Sequence, residues 1–254
     1  MSLATPIPTE PAPAPRARWL DILLVVAVGL SVFIFTTGLI GYFLQNANTT
    51  LLVAAITLAN FFSLGGSVVL LGLWRGWLSL ADLGLWPVRF HWAWLIVISG
   101  VTVLLLPLRL LLAYAALILV EGNLDSLSAR QELLGTEFSL LGFIVTFIGV
   151  GLLVPISEEL FFRGALYTWF RRRFNFWTAV IVSSVLFGLA HFDSLGVVLS
   201  SLVMGVAIAV VFEYTRSLYT AIGIHMLNNS LAVFLLYLLL GLMELFPQLK
   251  NLQP

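Results

Sequence analysis

Apolar residues do not alternate along this chain, and they are not confined to one helical face. They run in long blocks, at 20–43, 51–73, 93–119, 139–170, 177–192, 196–213 and 219–241. A helix needs about 20 apolar residues to cross a bilayer, and inside lipid every backbone polar group must find its partner within the spanning element. The blocks therefore predict about seven transmembrane helices, within a range of six to eight. The lack of strand alternation argues against a barrel. The fifth and sixth blocks are short, so that pair is partly re-entrant in the alternative reading. Polar connections fall at 45–50, 74–92, 121–138, 171–175, 192–196 and 214–219. The expected fold is an all-α polytopic transmembrane bundle.

Composition agrees with that pattern. The chain is 61% hydrophobic and 9% charged, against roughly 25% charged residues in a soluble domain. Formal net charge is zero, so no nucleic-acid partner is indicated. There is no cysteine, which removes disulfide and thiolate chemistry. The proline- and alanine-rich start, residues 1–18, lacks the apolar core of a signal peptide and reads as a disordered cytoplasmic tail. Residues 19–245 read as one transmembrane domain, followed by a short tail at 246–254.

Positive charge orients the bundle. Arg16, Arg18, Arg75, Arg89, Arg171, Arg172, Arg173 and Arg216 fall on one side if the spans alternate, leaving Arg130 and Lys250 for the other. The positive-inside rule makes the arginine-rich side cytoplasmic. The N-terminus is then cytoplasmic, and seven crossings put the C-terminus outside. The alanine- and leucine-rich, lysine-poor composition suggests a bacterial cytoplasmic membrane.

Several polar residues interrupt the apolar blocks: Arg109, Glu158, Glu159, Arg163, His191, His225, Asn228 and Asn229. Charge inside a bilayer is costly and marks function by default. Glu159 and Arg163 are spaced i, i+4 and can pair. Glu158 is turned by about 100° from Glu159, so it is not served by the same arginine, and a second acid is redundant for locking helices together. Counted from the "RRRFN" turn, Glu158 and His191 fall at similar depth on consecutive helices, as a proton-transfer pair requires. His225 and Asn229 share a face at i, i+4; taken alone, a helix-to-helix hydrogen bond is the blander account. Pro155 removes an intrahelical hydrogen bond just before the glutamates. Arg109, near Pro107, is left to snorkel or to pair with an acid.

Glu158-Glu159-x-x-x-Arg163, Phe187-x-x-x-His191 and His225-x-x-x-Asn229, in that order on consecutive apolar helices, resemble the CAAX protease and bacteriocin-processing family of intramembrane endopeptidases, which includes the type II CAAX prenyl proteases. The resemblance covers a motif core at about 139–240, and "LADLGLWP" is similar to the family's upstream loop. It implies a conical, water-filled cavity within the helical bundle. It also implies a glutamate-dependent peptidase in which Glu158 and His191 activate water, His225 and Asn229 stabilise the oxyanion, and Glu159 and Arg163 support them. No cofactor is expected. Zinc, held by Glu158, His191 and His225, is the less favoured alternative, because the H-E-x-x-H signature is absent.

The expected partners are membrane lipids and a membrane-associated protein or peptide substrate, such as a prenylated CAAX-type protein or a peptide precursor. Two other functions fit an apolar chain with buried charges. One is a non-enzymatic immunity factor or scaffold of the same fold. The other is a proton-coupled transporter using Glu158 and His191 as a relay, although such transporters often show two related halves and this chain shows none.

Overall fold

The computed structural model describes residues 18–85, 91–116, 118, 138–192 and 194–248. Of the expected tails at 1–18 and 246–254, residues 1–17 and 249–254 lie outside these residues, as do Arg16, Arg89, Arg130, Lys250 and most of the 121–138 connection. The described residues form a helical bundle: α1 (Trp19–Phe43), α2 (Thr49–Leu73), α3 (Ala93–Ala116), α4 (Leu140–Arg171), α5 (Phe176–Leu189), α6 (Leu195–Thr215) and α7 (Leu218–Leu245). Six of them are long and apolar enough to span a bilayer. At 14 residues, α5 measures about 21 Å and is shorter than the roughly 30 Å hydrocarbon core. The fifth expected span, 177–192, is therefore a short helix that turns back into α6. His191 lies in that turn rather than on a helix. The protein is an integral membrane protein.

Short polar side chains start four helices by accepting an otherwise unpaired N–H. Asn48 Oδ1 accepts from Leu51 N at 2.9 Å, and Asn175 Oδ1 from Thr178 N at 2.9 Å. Ser139 Oγ accepts from Gly142 N at 3.2 Å, and Ser194 Oγ from Val197 N at 3.2 Å. The helix α6 ends on Arg216, which adopts the left-handed conformation (φ 50°, ψ 33°), where glycine is the usual choice. For a non-glycine residue this costs about 1–2 kcal/mol. Facing it, Gly84 (φ +63°) lies so close that a Cβ there would sit 2.0 Å from the Arg216 carbonyl oxygen. Residues 83 and 84 of the connection after α2 are thereby laid against the α6–α7 turn, and Leu218 N donates to Leu83 O at 3.1 Å.

The described arginines of the expected cytoplasmic side gather at one end. Arg18 and Arg75 approach Asp21, Arg172 pairs with Asp82, and Arg171 and Arg216 pair with Glu213. Burial alone would raise the Asp82 pKa. Hydrogen bonds from Arg172 and Ser79 outweigh it, so the carboxyl is held below the usual range. A core of apolar side chains from all seven helices fills the bundle behind this end.

The long helix α4 is not uniform. Its hydrogen bonding widens from i→i+4 to i→i+5 over Phe147–Leu153 and again over Leu160–Tyr167. Such wide turns recur at functional sites. Between them stands Val154–Glu159, which carries Pro155, Glu158 and Glu159.

Candidate active site

The i, i+4 pairing of Glu159 and Arg163 is present. Arg163 Nη1 donates to Glu159 Oε1 at 3.0 Å, and both side chains are essentially sealed from solvent. Arg163 does more than neutralise one acid. Its Nη2 donates to the Gly205 carbonyl on α6 at 3.0 Å, and its guanidinium stacks over the Phe187 ring on α5 at 4.5 Å. One buried cation thus ties α4 to both neighbours.

Glu159 Oε1 also accepts from His225 Nδ1 at 2.8 Å. That bond fixes the α7 imidazole and turns its Nε2 toward Glu158, 3.9 Å from Oε2. His191 approaches the same oxygen, with Nε2 at 3.7 Å from Glu158 Oε2. The His191 tautomer follows from its other nitrogen. Nδ1 lies 2.8 Å from the Phe187 carbonyl, and a carbonyl only accepts, so Nδ1 carries the hydrogen. In the neutral ring, Nε2 then presents a lone pair to the site. This accounts for the Phe-x-x-x-His spacing. Phe187 provides both the carbonyl that sets the tautomer and a ring that packs against His191 (4.7 Å), His225 (5.6 Å) and Phe162 (5.0 Å).

Glu158 Oε2 therefore faces two imidazole nitrogens at distances too long for direct hydrogen bonds. It has no hydrogen-bond partner among the described residues, although it is buried. Separations of this size between polar atoms suit a bridging water. The pair is reached from the His191 side, where the side chain is 19% exposed. Glu159, Arg163 and His225 are at most 1% exposed.

Sequence reasoning missed Asn60, on α2. Its Oδ1 accepts from Ser157 Oγ at 2.6 Å, and its Nδ2 donates to Glu158 Oε1 at 3.5 Å. The two helices come this close partly because Gly149 packs on Thr57; a Cβ at 149 would lie 2.7 Å from Thr57 Oγ1. A lone asparagine in an apolar block was the available signal.

Asn229 takes a different place from His225. Its Nδ2 donates to the Val150 carbonyl at 3.2 Å, not to the glutamates. Pro155 explains why that carbonyl is open. In the wide turn Val154 N bonds to Gly149 O, so the next donor in register would be residue 155, and proline has no N–H. Ser230 Oγ reaches the adjacent Gly151 carbonyl at 3.5 Å. Asn229 thus replaces the one backbone bond that Pro155 cannot supply. Asn228 is buried against Met204, with Nδ2 3.6 Å from its sulfur, and Arg109 donates to the same sulfur at 3.2 Å.

Among the described residues, no group of three or more His, Asp or Glu side chains is arranged to hold a metal ion. Glu158, His191 and His225, the alternative zinc set, form no such group.

Residues 140–231 match the family model for the type II CAAX prenyl endopeptidase Rce1-like proteins. This segment contains all three motifs, so the resemblance read from them is borne out there. Over 81 residues, 32% of this chain, the sequence is 31% identical to "Putative membrane peptidase YdiL" of Bacillus subtilis (strain 168). The matched stretch covers 33% of that relative's length. No solved structure matches the chain.

Proposed function

We propose that this protein is an intramembrane endopeptidase that hydrolyses a peptide bond of a membrane-associated protein or peptide precursor, with water activated by Glu158 and His191. The observation that carries this reading is the buried, unpartnered Glu158 Oε2 facing two imidazole nitrogens. The match of the motif-bearing segment to a prenyl endopeptidase model supports a peptidase. The N-terminus lies in the cytoplasm, in keeping with the arginine-rich end, and the host membrane is a bacterial cytoplasmic membrane.

In the proposed reaction a water held between Glu158 Oε2 and His191 Nε2 loses a proton to Glu158. Its oxygen bonds to the scissile carbonyl carbon, and the C=O electron pair moves onto oxygen. The protonated form of His225, fixed through Nδ1 by Glu159, offers Nε2–H to that oxyanion. Asn229 adds its second amide hydrogen. The intermediate then collapses. The C–N bond breaks, Glu158 returns its proton to the leaving amine, and the new carboxylic acid loses its remaining water-derived proton to bulk water to leave a carboxylate. Asn60 and Ser157 orient Glu158, and Arg163 offsets the charge of Glu159.

The reading is tested by reconstituting the purified protein in liposomes with a library of membrane-anchored peptides. Cleavage at defined bonds is expected. A folded, inserted protein that cleaves none of them favours the scaffold or transporter reading.

A further inference from the structure

The arginine-rich end of the bundle holds a second polar site, distinct from the buried cluster. A cavity of about 360 Å³ opens there between α4, α6 and residues 81–82 of the connection after α2. Asp82, Tyr167, Thr168, Arg171, Arg172 and Arg216 line it. The carboxylates facing these arginines are Asp82 and Glu213. Asp82 pairs with Arg172. Glu213 accepts from Tyr167 at 2.6 Å, from Arg171 Nε at 3.1 Å and from Arg216 Nη2 at 2.7 Å. Among the described residues, three guanidinium groups face two carboxylates, an excess of one positive charge. Each guanidinium has five N–H donors, more than these bonds use.

Backbone conformation adds an independent observation. Arg216 occupies the left-handed position that ends α6, where glycine is favoured. The sequence instead places an arginine there, with its side chain on the cavity. Trp19, exposed at the start of α1, fits the level of lipid headgroups. Trp19 packs edge-on against Trp169 at 4.3 Å, and Arg173 covers Trp169 at 4.0 Å.

We propose that this cavity binds a phosphate oxyanion at the membrane surface, carried by an anionic phospholipid headgroup or present as free phosphate. Guanidinium forks match phosphate oxygens in pairs, and basic pockets between transmembrane helices suit anionic headgroups. The proposal is independent of the peptidase reading, since its readout is binding.

The test uses the purified full chain in detergent, titrated separately with dioctanoyl phosphatidylglycerol, dioctanoyl phosphatidylcholine and inorganic phosphate. Binding is followed by native mass spectrometry and by melting temperature. Saturable binding of phosphatidylglycerol without binding of phosphatidylcholine is expected. Arg216→Gly relieves the left-handed backbone while deleting one cation, so it should keep the ligand-free melting temperature and bind phosphatidylglycerol about tenfold more weakly. Arg216→Gln, which retains the native backbone preference, should show the same weakening. Phosphate binding lost in both variants supports the proposal with a soluble source; phosphatidylglycerol binding alone supports the lipid source. Equal binding of both lipids with no response to phosphate overturns it, and so does undiminished binding in the two Arg216 variants.

Discussion

Asn60 and Glu158 lie 98 residues apart and meet side chain to side chain, with Asn60 Nδ2 donating to Glu158 Oε1 at 3.5 Å. The hydroxyl of Ser157, donating to Asn60 Oδ1 at 2.6 Å, sets which end of the amide faces the carboxylate. One oxygen of Glu158 is thereby held while the other faces the imidazoles. Asn60→Leu should lower turnover by about 10- to 100-fold, the scale of a hydrogen bond to a charged group, with KM little changed. Steady-state kinetics on a cleaved peptide checks this. Wild-type kcat in a folded Asn60→Leu protein would deny Asn60 its positioning role.

Glu159 and Glu158 are neighbours with opposite sensitivities. Glu159 serves Arg163 and His225 at once, so Glu159→Gln leaves a buried guanidinium without its counter-charge. Breaking one partner of a buried pair costs about 3–5 kcal/mol. A marked fall in melting temperature and folded yield is expected for Glu159→Gln, and little change for Glu158→Gln. Thermal unfolding of the two variants in the same detergent measures the contrast.

Asn229 combines two tasks in the proposed account, and mutation separates them. Its bond to Val150 is worth on the order of 1 kcal/mol or less in a membrane, whereas an oxyanion donor is worth about 100-fold or more in turnover. Asn229→Ala should therefore show a small drop in melting temperature and a large drop in kcat. Ser230→Ala, which removes only the neighbouring contact to Gly151, should lose stability slightly and keep kcat. Equal kcat in both variants and wild type would leave Asn229 with its structural bond alone.

The arginine-rich end should face the cytoplasm. Because the chain has no cysteine, single cysteines can be placed at Asn46, on the α1–α2 turn, and at Phe174, on the α4–α5 turn; both positions are exposed. A membrane-impermeant thiol reagent added to intact cells should label position 46 and spare 174. Labelling of both from outside would contradict the orientation.

Much of this architecture was legible in the apolar blocks, because a bilayer demands long continuous runs and leaves little room for alternatives. The exception is instructive. The block 177–192 is predominantly apolar, but Ala190 and His191 leave the helix to turn into α6, and hydropathy does not record where a chain turns. The Glu159–Arg163 pair followed from helical spacing, and Glu158 opposite His191 from counting residues out of one turn. Asn60 stood out only as a lone asparagine in an apolar block, and its partners come from a segment 97 and 98 residues away. The bond from Asn229 to Val150 depends on a local widening of α4 that displaces the carbonyl left open by Pro155. Spacing on α7 placed Asn229 beside His225 but could not choose between that carbonyl and the glutamates.

The central claim is that Glu158 activates water for peptide hydrolysis. The most direct measurement compares the membrane-fraction proteome of cells carrying the wild-type chain with that of cells carrying Glu158→Gln at equal abundance in the membrane. The amide keeps the shape of the side chain but cannot take a proton from water. The account predicts that one or more membrane-associated precursors accumulate uncleaved in the Glu158→Gln cells and are processed in wild type. It further predicts that purified wild-type protein, but not the variant, cleaves such a precursor at the native position. Processing of that precursor by purified Glu158→Gln at the wild-type rate would contradict the claim.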